Sequence, residues 1–99
     1  MSMKSRYEFT KNKYKDYIVL IRKNNTLYYF DQDKKILDYI DFKDKIYKIR
    51  KRNINYLILD DLDIIEINKY NKNNYNKYLL SSYLKDILNE IRKSYKKYL

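Results

Sequence analysis

Four carboxylates, Asp60, Asp61, Asp63 and Glu66, crowd one short stretch of the chain. Hard cations such as Mg²⁺ take oxygen ligands, and nucleases gather carboxylates to hold them. The spacing here matches no metal-binding loop. The nuclease pattern of Asp followed by Glu-x-Lys fails, because two residues part Glu66 from Lys69. The run "DDLD" therefore reads as a polar turn between two strands. The rest of the catalytic repertoire is thin. The 99 residues include no His, no Cys and no Gly. That removes the imidazole base, the thiolate nucleophile, the Cys/His zinc site, the disulfide framework and the glycine-rich phosphate loop. No catalytic residue, metal ligand or cofactor is nominated, and a non-enzyme is expected.

The cations carry more promise. There are 23 Lys and Arg against 13 Asp and Glu, a formal net charge of +10. Such a field attracts nucleic acid, acidic proteins or anionic lipid. Lys, Asn, Ile and Tyr all have A/T-rich codons, so an AT-rich genome raises all of them together. The 14 tyrosines are therefore not in themselves a nucleic-acid signature. Tyr7, Tyr14, Tyr28, Tyr29, Tyr56 and Tyr75 are spread along the chain and read as core and boundary fillers, although exposed aromatics among cations can stack on bases.

Two basic groups form the candidate site. The first is Arg22, Lys23, Asn24 and Asn25, followed by Thr26, at the tip of an expected hairpin. Arg and Lys would hold phosphates there, and the Asn pair could reach base edges. The plainer reading is that Asn-Asn only makes the turn. The second is "KDKIYKIRKR", 43–52, read as helix, where Lys45, Lys48 and Arg52 align along one edge with Lys51 nearby. Aligned cations can track a phosphate backbone. A solvated helix face explains the same run more simply. A further stripe, Lys85, Arg92 and Lys96 with Lys93 and Lys97, lies in the last helix, where cations also complement the helix dipole.

The elements that must position these groups follow from the apolar pattern. A short basic helix is expected over 6–16. Strands over 17–23 and 26–31 flank Asn24-Asn25, which suits a type I′ turn. A two-residue turn sets Ile21 opposite Tyr28 and Lys23 opposite Thr26. Val19, Ile21, Tyr28 and Phe30 then share one face, and Ile18, Leu20, Leu27 and Tyr29 the other. Both faces are apolar, so the hairpin belongs at the centre of a covered sheet. Asp31 or Asp33 can cap a helix that buries Ile36, Leu37 and Ile40. Asp41 is the candidate N-cap of the next, with Phe42, Ile46 and Ile49 inward and Asn53 closing it in a left-handed conformation. Residues 54–59 read as a buried strand. Residues 64–69 read as an edge strand with Ile65 and Ile67 inward and Glu66 and Asn68 outward. Over about 74–97 a long helix presents Leu80, Leu84, Ile87, Ile91 and Tyr95 on one side, expected to pack on the sheet rather than to form a dimer seam. The expected fold is a single α+β domain over 1–99, with a four-stranded sheet of two hairpins and helices packed on it, in the order (α)-β-β-α-α-β-β-α.

The stretch "VLIRKNNTLYYFDQDKKIL" resembles the start of the mismatch-recognition N-terminal domain of the DNA mismatch repair protein MutS. That family's pattern is an apolar strand, then Arg-x-Gly-Asp-Phe-Tyr-Glu-x-Phe, then acidic residues and a helix. Arg22 matches its Arg, Phe30 its second Phe and Asp33 a downstream Asp. "FKDKIYKIRKRNINYLIL" is similar to a later helix and strand of the same domain, and the likeness spans about residues 13–68. It implies a related fold and a DNA-related ancestry. The family's Gly-Asp falls on Asn24-Asn25, its base-stacking Phe on Thr26 and its base-bonding Glu on Tyr28. Mismatch reading is therefore not implied.

The function expected is a small, non-catalytic nucleic-acid-binding module that contacts mainly the phosphates of DNA or RNA through Arg22, Lys23, Asn24, Asn25, Lys45, Lys48, Lys51 and Arg52. The alternative is a protein-binding inhibitor or adaptor from a phage or mobile element, for example an anti-CRISPR-type blocker of a host protein or ribonucleoprotein complex. No membrane partner is expected, because no apolar run reaches ~18 residues. The N-terminus lacks the apolar segment of a signal peptide, which places the chain in the cytoplasm. A monomer or a homodimer fits equally. A nucleic-acid binder should join the hairpin tip and the 43–52 segment in one basic surface, whereas an inhibitor should show a contiguous apolar patch.

Overall fold

A computed structural model describes the backbone of residues 1–97 and the side chains of residues 1–95. The elements are α1 (Met3–Lys13), β1 (Ile18–Lys23), β2 (Thr26–Tyr28), α2 (Asp31–Tyr39), α3 (Tyr47–Arg50), β3 (Tyr56–Asp60), β4 (Asp63–Asn68) and α4 (Lys72–Lys97). The fold is α+β, with one four-stranded sheet ordered β2-β1-β3-β4. Both expected hairpins are present and antiparallel, and they meet through a parallel β1–β3 pair at the centre. The sheet is thus mixed, and β2 is an edge strand rather than a central one.

The Asn24-Asn25 turn sets the expected register, Ile21 opposite Tyr28 and Lys23 opposite Thr26, with φ of 53° and 60° at the two Asn. Side chains then alternate between two cores. Val19, Ile21, Leu57 and Leu59 pack with Tyr7 of α1 and with Phe30. Ile18, Leu20, Tyr56 and Ile58 pack with Ile36 and Leu37 of α2, Ile49 of α3 and Tyr75 of α4. Tyr28 shares the Ile21 face, as the register requires, but on the edge strand it stays 41% exposed.

In a chain without glycine, the left-handed positions fall to Asn and Asp almost throughout. Three left-handed residues, Asp41, Lys43 and Asp44, explain why the 43–52 segment is not the expected long helix. Asp41, at φ 54°, does not cap α3. It ends α2, with Asp41 N–H donating to Asp38 O and Phe42 N–H to Leu37 O. This pair of hydrogen bonds is the Schellman closure. Lys43 and Asp44 are also left-handed, so only Tyr47–Arg50 winds into helix. Asn53, at φ 53°, closes α3 as expected, through Asn53 N–H to Arg50 O and Ile54 N–H to Ile49 O. At the other end of the chain α1 starts earlier than expected, because the Ser2 hydroxyl accepts from Ser5 N–H and caps it.

The α2 start also differs. Phe30 occupies its N-cap and makes no side-chain cap bond. Asp33, expected as a possible cap, is wholly buried. Its carboxylate accepts from Tyr7 Oη at 2.7 Å, Val19 N–H at 3.0 Å, Lys11 Nζ at 2.7 Å and Tyr75 Oη. One side chain thereby ties α1, β1, α2 and α4 together. Burial, then the Asp33 charge, pushes both tyrosines far above their ordinary range, whereas burial pulls the Lys11 ammonium down against Asp33.

Two apolar expectations are reversed. On β4, Ile65 and Ile67 are 43% and 45% exposed, while Glu66 and Asn68 turn toward Tyr56. Ile67 lies opposite Leu57, on the α1 side of the sheet, but on the edge strand it is left half covered; only Ile65 falls at the irregularity between Ile58 and Leu59. On α4 the helix packs inward through Tyr75, Tyr78 and Leu79. The stripe expected inside, Leu80, Leu84, Ile87, Ile91 and Tyr95, faces out, each residue at least half exposed.

Candidate nucleic-acid interface

The parallel pairing of β1 with β3 decides where the two basic groups lie. Their register runs from Ile18–Tyr56 to Arg22–Asp60. The hairpin tip follows the end of β1, whereas α3 leads into the start of β3. The two groups therefore sit at opposite ends of the sheet, about 13 Å of strand apart. They do not form one basic surface.

At the tip, Arg22, Lys23, Asn24 and Asn25 line an open cleft of about 640 Å³ together with Arg6, Asp60 and Asp61. Arg22 pairs with Asp60 at 3.5 Å and Arg6 with Asp61 at 3.0 Å. Two of the three cations thus face carboxylates of the β3–β4 turn, and little positive field remains. Arg6 drew no attention in the sequence, because nothing local marks its approach to Asp61.

At the other end the balance is different. Asn74 Nδ2 donates to Asn53 O at 2.9 Å, and Tyr70 N–H donates to the buried Asn55 side chain at 2.5 Å. These bonds lay the start of α4 against the end of α3. The Asn71 side chain accepts from Asn73 N–H at 2.8 Å and caps α4. Segments 41–53 and 69–77 are thereby joined, and together they hold nine Lys and Arg against two Asp. Tyr47 and Tyr70 are 56% and 40% exposed among them.

Seven of the nine cations of this end divide into two kinds, while Lys43 lies 3.6 Å from Asp41 and Lys77 lies 5.9 Å from the Tyr78 ring centre. Lys48 donates to Asp41 O, and Arg52 donates to Lys48 O at 2.8 Å. Arg50 donates to Tyr56 Oη at 2.7 Å and to Glu66 at 3.1 Å, while Tyr56 Oη itself donates to Glu66 at 2.5 Å. Burial and the Glu66 bond push the Tyr56 phenol up, and the bond to Tyr56 raises the Arg50 guanidinium. These three cations hold the fold. Lys45, Lys51, Lys69 and Lys72 are exposed and make no ion pair among the described residues. Lys51 Nζ lies 5.9 Å from the Tyr47 ring centre. Of the expected site, the structure therefore groups Lys45, Lys48, Lys51 and Arg52, separates Arg22, Lys23, Asn24 and Asn25 from them, and adds Tyr47, Lys69, Tyr70 and Lys72. Tyr47 lies inside the 43–52 segment, whereas neighbourhood in sequence could not reveal Lys69, Tyr70 and Lys72, because the β3–β4 hairpin intervenes.

The third basic stripe is dispersed. Lys85 lies over the Tyr39 ring and Lys93 pairs with Glu90, while the side chains of Lys96 and Lys97 lie outside the described residues. The carboxylates of the opening motif part company too. Asp60 and Asp61 stay at the tip, and Glu66 joins Tyr56 and Arg50. No helix of the described residues is long and apolar enough to cross a membrane. Comparison with protein-family models, curated proteins and solved structures finds no match for the chain.

Proposed function

We propose that this chain is a small nucleic-acid-binding module whose contact surface is the α3–α4 end of the sheet. The single basic surface expected of a binder, joining the hairpin tip to 43–52, is absent among the described residues, and α4 carries the apolar stripe expected of a protein-binding inhibitor. What carries the nucleic-acid reading is instead the joining of segments 41–53 and 69–77, nine cations against two Asp, with Tyr47 and Tyr70 exposed among them. Lys45, Lys51, Lys69 and Lys72 contact phosphates, and the two tyrosines offer faces on which unpaired bases stack. No base-reading constellation accompanies them, so binding is weakly dependent on sequence and favours single strands. The resemblance of residues 13–68 to the MutS N-terminal domain supports a nucleic-acid ligand without supporting mismatch recognition.

The test is fluorescence anisotropy with labelled single-stranded DNA, duplex DNA, mismatched duplex and RNA across a salt series. Single strands bind best, and affinity falls steeply with salt. Replacing Lys45, Lys51 and Lys72 by Ala lowers the magnitude of the log–log salt slope by about two units, given ~0.7 per phosphate contact on single strands. No binding at low salt, or an unchanged slope in the triple variant, defeats the reading. Lys48 and Arg52 are poor choices for this test, since their bonds to the backbone stabilise α3.

A further inference from the structure

The outer side of α4 is the largest feature that neither the fold nor the proposed interface uses. From Tyr83 to Tyr95 every residue of the helix is exposed. Leu80, Leu84, Ile87, Leu88, Ile91 and Tyr95 are between 50% and 68% exposed. At 100° per residue they form one stripe, diametrically opposite the side that packs Tyr75 and Leu79 on the core. A helix apolar on two opposite sides has two partners to meet, and the chain supplies one.

We infer that the second partner is another copy of this chain, docked antiparallel along α4. The spacing of Leu80, Leu84, Ile87 and Ile91 is four, three, four. That sequence of steps reads the same in both directions, which lets an antiparallel two-fold helix pair set each of the four against another of the four. With the axis between residues 85 and 86, Leu80 meets Ile91 of the second copy and Leu84 meets its Ile87, while Leu88 lies beside Tyr83 and Tyr95 beside Asn76 at the rim. The six side chains expose on the order of 600 Å² per copy, so that they contribute at most ~1,200 Å² to a pair, which with the flanking residues reaches the lower bound for a stable interface. Charge selects the direction. Parallel pairing sets Arg92 and Lys93 of the two copies side by side, whereas antiparallel pairing lays them along the uncharged run 78–84. The interface is apolar while each copy carries +10, so association tightens as salt screens the repulsion. Nucleic-acid binding responds to salt in the opposite sense.

The experiment is sedimentation equilibrium of the 99-residue chain without nucleic acid, from about 1 to about 300 μM, a range that spans micromolar dissociation constants. The expected mass rises from 12.5 kDa toward twice that value, at lower concentration in higher salt. Leu84→Glu with Ile87→Glu keeps the circular dichroism of the fold, because both positions are exposed, and holds the chain monomeric. Ile65→Glu, on the apolar β4 edge, leaves the dimer intact. A spin label on Ser94→Cys reports a separation of about 25 Å in the antiparallel pair. A monomer throughout the range overturns the inference and leaves the stripe to a foreign protein. So does a dimer that survives Leu84→Glu with Ile87→Glu, one broken by Ile65→Glu, or labels closer than about 10 Å, the parallel arrangement.

Discussion

Two charged regions of this molecule are built on opposite logic. Around Asp33 the charge is turned inward: the carboxylate is wholly buried, and four donors from three other elements converge on it. At the α3–α4 end the charge is turned outward, with Lys45, Lys51, Lys69 and Lys72 exposed and without an ion pair among the described residues. A buried charge is tolerable only when its partners are complete, and completeness makes the hub costly to disturb. An exposed cation costs the fold little and remains free to meet a phosphate. Net charge alone therefore says little about function; what matters is which charges the fold has already matched.

The sharpest break in this contrast is Asp33→Ala. It leaves Val19 N–H and the Tyr75 hydroxyl without their acceptor. It also takes one acceptor from the Tyr7 hydroxyl, which keeps Phe30 O, and one from Lys11 Nζ, which keeps Tyr17 O and Tyr75 Oη. The expected loss is about 3–5 kcal/mol, a large share of the 5–15 kcal/mol available to a domain of this size. Urea unfolding measures it, and Asp33→Asn, which keeps one acceptor oxygen and the shape, recovers part of the loss. A cost below about 1 kcal/mol would put the carboxylate in contact with water and dissolve the contrast.

Alkaline pH probes the hub without mutation. Tyr7 and Tyr75 titrate far higher in the fold than in the unfolded chain, whose phenols ionise near 10. The folded state therefore holds protons that the unfolded state releases. This stability is complete below about pH 10 and drains as pH rises above it, by up to about 1.4 kcal/mol per pH unit for each phenol. Lys11 runs the other way. Its lowered value means that the unfolded chain holds the extra proton below about pH 10.5, so neutralising Lys11 favours the fold slightly over that window. Two phenols outweigh one amine, and urea midpoints should fall between pH 10 and about 11.5. In Tyr7→Phe the fall is shallower; an equal slope would exclude Tyr7 as a source.

Much of this arrangement could be read in the sequence, and the exceptions share a cause. The β1–β2 register was legible because Asn24-Asn25 fixes a two-residue loop, and a turn is a local event. Ile36, Leu37 and Ile49 were legible as core because each lies on an apolar face that is covered. Periodicity defines a face but does not say whether anything covers it. That is why the Leu80–Tyr95 stripe was assigned to the interior although Tyr75 and Leu79 take that role. Asp41 was legible as a helix-end residue, but the end was the C-terminus of α2, since Asp serves both a cap and a left-handed closure. The Asp33 hub and the α3–α4 junction were illegible for a plainer reason. Their partners lie 14 to 42 residues away at Asp33 and 21 residues away between Asn53 and Asn74, and nothing local announces such contacts.

The smallest expected effect is at the hairpin tip, and it sharpens the contrast from the other side. Arg22 is a surface cation, as Lys51 is, yet it already faces Asp60, with their side chains 47% and 57% exposed. An exposed pair of this kind contributes at most about 1 kcal/mol. Arg22→Ala should therefore shift the urea midpoint only slightly. It should also leave the salt slope of nucleic-acid binding within about half a unit of the parent, because a cation that already has a carboxylate partner releases few counterions when it meets a phosphate. Lys51→Ala, an equally exposed change of the same charge, should lower that slope by about 0.7. If Arg22→Ala instead lowers the slope as much as Lys51→Ala does, the Asp60 pair opens on binding, and the tip and the α3–α4 end contact a ligand long enough to span the sheet.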